Sequence, residues 1–325
     1  MAGAADDSQV LPQDRPKKPP VSAKAFKVAK APTLPLALTP PSNPKEAAAF
    51  AFLQKLGDEL VSGPLNLPCF PDVVPRVRQA LGDPASTSDD IVRIAGTEPR
   101  LAARILQTAN SVVFNPAGAA FSDLRHAVTR LGYHLVQSVT MAFALQQLRA
   151  EPSLRPVAKQ LNALWEKSVA VASICQVIAA RLRVPTDKVF LTGLLHGIGY
   201  FYIMVRAGER GSGIDLDSAF VDFVAERHPA IGRAVMEKWG FEVVMCEAVG
   251  QQHDYQRASK RRADITDVLI ASVVLADALL ERQGDLARCA GVNAFAALGF
   301  REEDLRAILR HTEHTLESLR ESLGR

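Results

Sequence analysis

Beyond residue 43, apolar residues recur at intervals of three and four along the chain, and no segment shows the alternation of a strand. That interval is the period with which an α-helix buries one face. Clear runs occur at Leu101, Ile105 and Leu106, and then at Val136, Val139, Phe143, Leu145 and Leu148. Helix-start signatures accompany the pattern, as in Asn43-Pro-Lys-Glu46, where a capping residue precedes proline and glutamate. The sequence therefore predicts an all-α fold.

The helical pattern divides into two halves and an extension. We predict an N-terminal helical bundle over residues 43–150, a second helical half over residues 151–285 and a C-terminal helical extension over residues 286–325. The link between the halves, Glu151 to Arg155, is short and joins two largely apolar helices. We therefore expect the N-terminal bundle to pack on the second half as one rigid unit.

Residues 1–42 form a tail of different composition, rich in proline, alanine and lysine. Residues 1–45 hold seven Lys or Arg and three Asp, which is a net charge of +4. Because the whole chain carries +3, the remainder carries −1, and this balance gives no strong signal for nucleic-acid binding. A segment of this composition buries too little apolar surface to offset the entropy of ordering, so we predict that the tail is disordered.

The remaining composition favours a cytoplasmic location. No apolar run approaches the roughly 20 residues that a membrane helix needs, so no membrane span is expected. The N-terminus lacks the basic start and apolar core of a signal peptide. The cysteines lie far apart, which favours reduced thiols over a zinc site: Cys69, Cys175, Cys246 and Cys289.

One apolar stretch, Leu191-Thr-Gly-Leu-Leu-His-Gly-Ile-Gly-Tyr200, predicts a buried helix that carries a single imidazole, that of His196. A buried ionisable side chain needs a partner or a purpose. His228, His253 and Asp277 lie downstream on other apolar segments. We expect these four side chains to converge on one pocket.

Several motifs resemble those of the HDOD domain, the HD-related output domain of bacterial signalling proteins. The resemblance covers about residues 60–285. Its motifs are Leu67-Pro68 with Pro71, Thr97-Glu-Pro-Arg-Leu-Ala-Ala-Arg-Ile-Leu-Gln-Thr-Ala-Asn-Ser111, Leu124-Arg-His-Ala-Val-Thr-Arg-Leu-Gly132, Leu194-Leu-His-Gly-Ile-Gly199, Glu226-Arg-His-Pro-Ala-Ile-Gly232, Trp239-Gly240 and Gln252-His253.

The resemblance implies an HDOD-like helical fold related to the HD superfamily of metal-dependent phosphohydrolases. In those enzymes a histidine of an early helix, an adjacent His-Asp pair and a late aspartate bind metal. The His-Asp pair falls on His196-Gly197 here, the early histidine on Lys167 and the late aspartate on Asp277. His228 and His253 match the additional histidines of the related HD-GYP phosphodiesterases.

The implied metal site is degenerate. His196, His228, His253 and Asp277 remain as ligands for a divalent metal that would bind weakly, and we expect no cofactor to be held. Gly197 removes the aspartate that would bridge two metals, and Lys167 adds a cation to the pocket. We predict that the Lys167 ammonium pairs with Asp277 and takes over the neutralising role of the metal.

The sequence therefore indicates a non-catalytic signal-transduction or scaffold module of the bacterial cytoplasm that binds a protein partner. Two alternatives remain open at this point. One is a metal-dependent phosphohydrolase acting on a nucleotide or a cyclic dinucleotide. The other is a domain that senses a nucleotide in the same pocket without turnover.

Overall fold

The computed structural model describes residues 44–63, 71–116, 118, 120–182, 184, 186–209, 211–258, 263–281 and 286–323. Within these ranges every regular element is a helix, so the predicted all-α fold is confirmed. The tail predicted to be disordered, and Cys69, lie outside the described residues.

The first half contains five α-helices. They are α1 (Pro44–Ser62), α2 (Val73–Gly82), α3 (Ser88–Ala95), α4 (Pro99–Ala109) and α5 (Leu124–Arg149). Local sequence sets their ends: Thr87 and Asp90 form a capping box at α3, and Pro99 occupies the first turn of α4. Gly132 adopts a φ of +73° inside α5, a value that favours glycine, and the helix is kinked there.

The second half contains a 3-10 helix and six α-helices. They are the 3-10 helix Pro152–Val157, α6 (Ala158–Leu182), α7 (Thr186–Leu195), α8 (Ile198–Gly208), α9 (Ser218–Lys238), α10 (Val243–Gly250) and α11 (Ile265–Leu280). A short 3-10 helix (Leu286–Cys289), α12 (Asn293–Leu298) and α13 (Glu302–Leu323) follow.

Two element boundaries differ from the expectation. His196 does not lie within a helix but at the break between α7 and α8, and Gly197 is the N-cap of α8. His228-Pro229, a pair typical of a helix start because proline favours the first turn, lies inside the continuous α9. Because Phe220 and Val224 before the proline are buried like Ile231 and Val235 after it, packing holds both segments on one axis.

The long helix α6 lies at the centre of the second half and packs against α7, α11 and α13. Its side chains from Trp165 to Ala179 are largely buried. The final helix α13 also reaches the first half, where Arg104 and Thr108 of α4 donate hydrogen bonds to the carbonyl oxygen of Ser322 at 3.2 Å each. The C-terminal extension thus packs on both halves.

Helices α8 and α9 approach each other closely at two glycines. A Cβ atom on Gly199 would overlap the backbone of His228 and Gly232. Glycine is therefore needed at position 199 because only its missing side chain allows this approach. The contact fixes α9, and with it His228, against the start of α8.

Two segments, Leu154–Leu182 and Thr186–Gly208, are long and apolar enough to cross a membrane by length and composition, which the sequence-based expectation had excluded. Their most apolar windows are 67% and 89% buried inside the fold. Core helices pass the same test, and burial to this extent is typical of them.

Candidate functional site

A cavity of about 580 Å³ lies among α6, α8, α9 and the turn that follows α10. It contains all three histidines that the sequence singled out, and Lys167 lies at its edge. The lining residues are Lys159, Gln160, Ala163, Leu164, Lys167, His196, Tyr200, Leu216, Ser218, Val221, Asp222, Ala225, His228, Gln252, His253 and Val273.

His196 is held rigidly by backbone groups. Its Nδ1 atom lies 2.9 Å from the carbonyl oxygen of Gly193, and its own carbonyl oxygen accepts a hydrogen bond of 2.9 Å from Gln252 Nε2. Burial, and then the nearby Lys167 ammonium, lower the pKa of His196 from 6.5 to about 3. The imidazole is therefore neutral at physiological pH and donates from Nδ1 to the Gly193 carbonyl.

His228 and His253 face each other edge to face, with ring centroids 5.3 Å apart. Tyr200 also meets His228 edge to face, with ring centroids 5.9 Å apart. Burial is the main cause that lowers the pKa of both histidines, and the charge of Lys167 contributes to each shift. His228 Nδ1 is buried and has no hydrogen-bond partner among the described residues.

Lys167 and Asp277 form the ion pair that the sequence predicted, with Nζ 2.6 Å from Oδ1. The two side chains are 31% and 32% exposed, so the pair is only partly buried. Lys167 lines the cavity, whereas Asp277, which was expected to converge on it with the three histidines, is not among the lining residues. The ammonium group of Lys167 therefore neutralises the carboxylate of Asp277 through a charge-assisted hydrogen bond within the protein.

The side chains present do not fit a hydrolytic metal centre. Within the part of the chain that the structure describes, no group of three or more His, Cys, Asp or Glu side chains could hold a metal ion. The three histidines share the cavity, but Asp277 is paired with Lys167. A Cβ atom on Gly197 would overlap Leu164 Cδ1, so Leu164 fills the space that the missing aspartate would need.

Two cavity residues were not assigned a role from the sequence alone. Gln252 is fully buried and its Nε2 donates to two carbonyl oxygens, while its Oε1 has no partner in the described ranges. Gln160 Oε1 is likewise buried without a described partner. Gln252 precedes His253 in the Gln252-His253 motif, so the motif could have indicated that Gln252 belongs to the site. No motif includes Gln160, so the sequence gives no indication of its place in the cavity.

The all-α architecture, with histidines of three different segments around one cavity, is an HD-like helical fold. The chain belongs to the HDOD domain family, which matches residues 67–255. The match spans more than half of the chain and confirms the resemblance drawn from the motifs.

Solved structures carry the same fold at low sequence identity. A candidate metal-dependent phosphohydrolase from Shewanella amazonensis SB2B is 23% identical, with a TM-score of 0.66 over 86% of this chain and 100% of that one. An HDOD domain protein of unknown function from Geobacter sulfurreducens is 22% identical, with a TM-score of 0.53 over 85% and 96%. A candidate signal transduction protein from Marinobacter aquaeolei VT8 is 20% identical, with a TM-score of 0.54 over 86% and 65%. No curated protein matches the chain.

Proposed function

We propose that the protein is a non-catalytic signalling module of the bacterial cytoplasm that binds a protein partner. Its cavity descends from an HD metal centre in which an internal ion pair has replaced the metal. The observation that carries this proposal is the 2.6 Å contact between Lys167 Nζ and Asp277 Oδ1. Membership of the HDOD family and the likeness to a candidate signal transduction protein agree with a signalling role.

Hydrolysis of a phosphoester in an HD-type centre needs a metal that activates water and stabilises the developing charge. Lys167 neutralises the carboxylate of Asp277, so that this aspartate no longer attracts a metal ion. The Lys167 ammonium also repels a metal cation at the same position. Gly197 supplies no carboxylate, and Leu164 fills the adjoining space. The three histidines that remain can donate and accept hydrogen bonds, but among the described residues they do not form a group that could hold a metal ion.

The proposal is tested by elemental analysis of the purified protein and by a hydrolysis assay with cyclic dinucleotides in the presence of manganese or iron. We expect less than stoichiometric metal and no turnover above that of a His196→Ala variant. Stoichiometric metal together with turnover that His196→Ala abolishes would overturn the non-catalytic assignment.

A second candidate function is supported by the unpartnered polar atoms of the cavity. His228 Nδ1, Gln252 Oε1 and Gln160 Oε1 are buried without partners among the described residues, and all three residues line the same space. Buried polar groups are normally hydrogen-bonded, so an organic ligand with donor groups would satisfy them. This arrangement favours a nucleotide that is sensed in the cavity without turnover.

Nucleotide sensing is tested by thermal unfolding in the presence of cyclic dinucleotides or mononucleotides. A saturable rise in unfolding temperature that is weakened in Gln160→Leu would support it, because that variant removes one acceptor from the cavity. Asn162→Leu is a matched control, since Asn162 lies on the same helix but does not line the cavity. An unchanged unfolding temperature with every nucleotide would contradict it.

A further inference from the structure

A second cavity, of about 570 Å³, lies where the two halves of the chain meet. We call it the Arg78 cleft. It opens between α2 and α5 of the first half and the turn from α9 to α10 of the second half. Its lining residues are Pro75, Arg78, Gln79, Leu81, Gly82, His134, Gln137, Trp239, Gly240, Phe241, Glu242 and Met245.

Arg78 is the charged centre of the cleft. Its guanidinium carbon lies 5.4 Å from the ring centroid of Trp239 and 5.8 Å from that of Phe241, and Nη2 donates to the carbonyl oxygen of Trp239. Its Nε atom is buried and has no hydrogen-bond partner in the described part of the chain. Partial burial, which withdraws the cation from water, lowers the pKa of Arg78 to about 10.

No carboxylate forms an ion pair with Arg78 among the residues that the structure describes. Glu242 lines the same cleft, but both of its carboxylate oxygens are engaged by Lys188, at 2.7 and 2.9 Å. Arg78 is half-buried. A cation withdrawn from water without a counter-ion is costly, and a guanidinium fork matches a carboxylate in shape and charge. The missing partner of Arg78 is therefore an anion, and the geometry favours a carboxylate.

Apolar side chains are exposed next to the cleft. Val243 and Val244 are 64% and 50% exposed at the start of α10, between the cleft residues Glu242 and Met245. Two adjacent exposed valines beside an Arg–Trp pair resemble the centre of a protein interface, where tryptophan and arginine are enriched. A free small anion would satisfy Arg78 but would leave the valines uncovered.

We propose that the Arg78 cleft is the docking surface for the protein partner, and that it receives an aspartate or glutamate side chain flanked by apolar residues. The carboxylate pairs with the Arg78 guanidinium, and its apolar neighbours cover Val243 and Val244. This inference rests on the proposed partner-binding function and names the surface that performs it. Because the cleft is built from both halves, a bound segment bridges them.

The experiment selects ligands from a phage-displayed library of random heptapeptides, with the full-length protein as bait. The expected result is enrichment of peptides with an acidic residue between aliphatic residues. Arg78→Gln should weaken binding of a selected synthetic peptide by about tenfold or more, because it removes one partner of a buried charge pair. Replacement of the acidic residue by its amide in the peptide should have the same effect.

Matched controls separate binding from folding. Arg149→Gln removes a guanidinium that stacks on Trp165 at 5.2 Å but does not line the cleft, so peptide binding should persist. Val243→Ser with Val244→Ser should weaken binding while Arg78 is intact, whereas Val112→Ser, a 75% exposed valine elsewhere, should not. In a Trp165→Phe background Trp239 is the sole tryptophan, and its fluorescence should change on saturation with peptide.

Selected peptides without acidic enrichment, or equal binding to wild type and to a folded Arg78→Gln variant, would overturn the assignment of the docking surface. So would a library that yields no saturable binder. These results are independent of the metal and hydrolysis assays, so the docking surface can fail while the non-catalytic assignment stands, and the reverse also holds.

Discussion

At the scale of single residues, the chemistry of the cavity depends on a lysine. In metal-binding relatives the equivalent position is expected to supply an imidazole, whereas Lys167 supplies an ammonium that meets Asp277 at 2.6 Å. The sequence was sufficient to predict this pair, because the motif placed both residues in one pocket. It could not give the degree of exposure, which depends on how α6 and α11 meet.

The strength of the pair is the first testable quantity. Because each side chain is about a third exposed, we expect Lys167→Met to lower the free energy of unfolding by about 1–2 kcal/mol, less than for a deeply buried pair. The double variant with Asp277→Asn should recover part of that loss, since no unpaired carboxylate remains. Urea unfolding of both single variants and the double variant measures this coupling, and strictly additive losses would argue against a stabilising pair.

The buried histidines make stability depend on pH. The pKa of His196 is about 3 in the folded state and 6.5 in the unfolded state. Between pH 6.5 and pH 3 the imidazole is therefore protonated only in the unfolded state. Stability from the neutral imidazole is complete above pH 6.5 and is lost as pH falls towards 3, by about 1.4 kcal/mol per pH unit in that window. Urea unfolding from pH 7 to 5 should show a smaller slope in His196→Gln. The exposed control His314→Gln should leave the slope unchanged.

At the scale of elements, local chemistry sets several helix starts and stops. Local signals for the capping box of Thr87 and Asp90 and for the kink at Gly132 were visible in the sequence as a Thr-x-x-Asp spacing and a glycine. The continuity of α9 through Pro229 was not, because packing on both sides of the proline outweighs its local preference. The helix break at His196-Gly197 was also not predicted, because it lies within a continuous run of apolar residues that is typical of a single helix.

The close approach of α8 and α9 gives the element-scale prediction. Gly199→Ala should lower the free energy of unfolding by about 1–3 kcal/mol or more, because its Cβ would overlap backbone atoms that cannot rotate away. Gly208→Ala in the same helix is the control, since its Cβ would meet Val157 at an ordinary 3.4 Å. Equal stability of the two variants in thermal unfolding would show that α9 can shift without cost.

At the scale of the whole molecule, the C-terminal extension joins the two halves. Arg104 of α4 donates to the carbonyl oxygens of Glu321 and Ser322 at 3.2 Å each, at the end of α13. A cation at the C-terminal end of a helix also interacts favourably with the helix dipole. The domain boundaries themselves stay a prediction, since contacts of this kind tie the segments together.

This packing predicts that the halves do not unfold independently. The segments 45–150 and 153–325, expressed separately, should each melt at a lower temperature than the full chain, because each loses apolar surface that the other covers. Arg104→Met in the full chain should lower the unfolding temperature without splitting the transition. Two separated transitions in the wild-type chain, or segments as stable as the whole, would contradict a shared core.

The central claim, that an internal cation has replaced the metal, is tested most directly by titrating manganese into wild type and into Lys167→His with Gly197→Asp. The variant restores two ligands, and its new aspartate requires the Leu164 side chain to move, because Leu164 Cδ1 occupies the space of the added Cβ. We predict no stoichiometric binding by wild type and an affinity about tenfold or more higher in the variant. Binding of one manganese ion by wild type, as tightly as by the variant, would contradict the account.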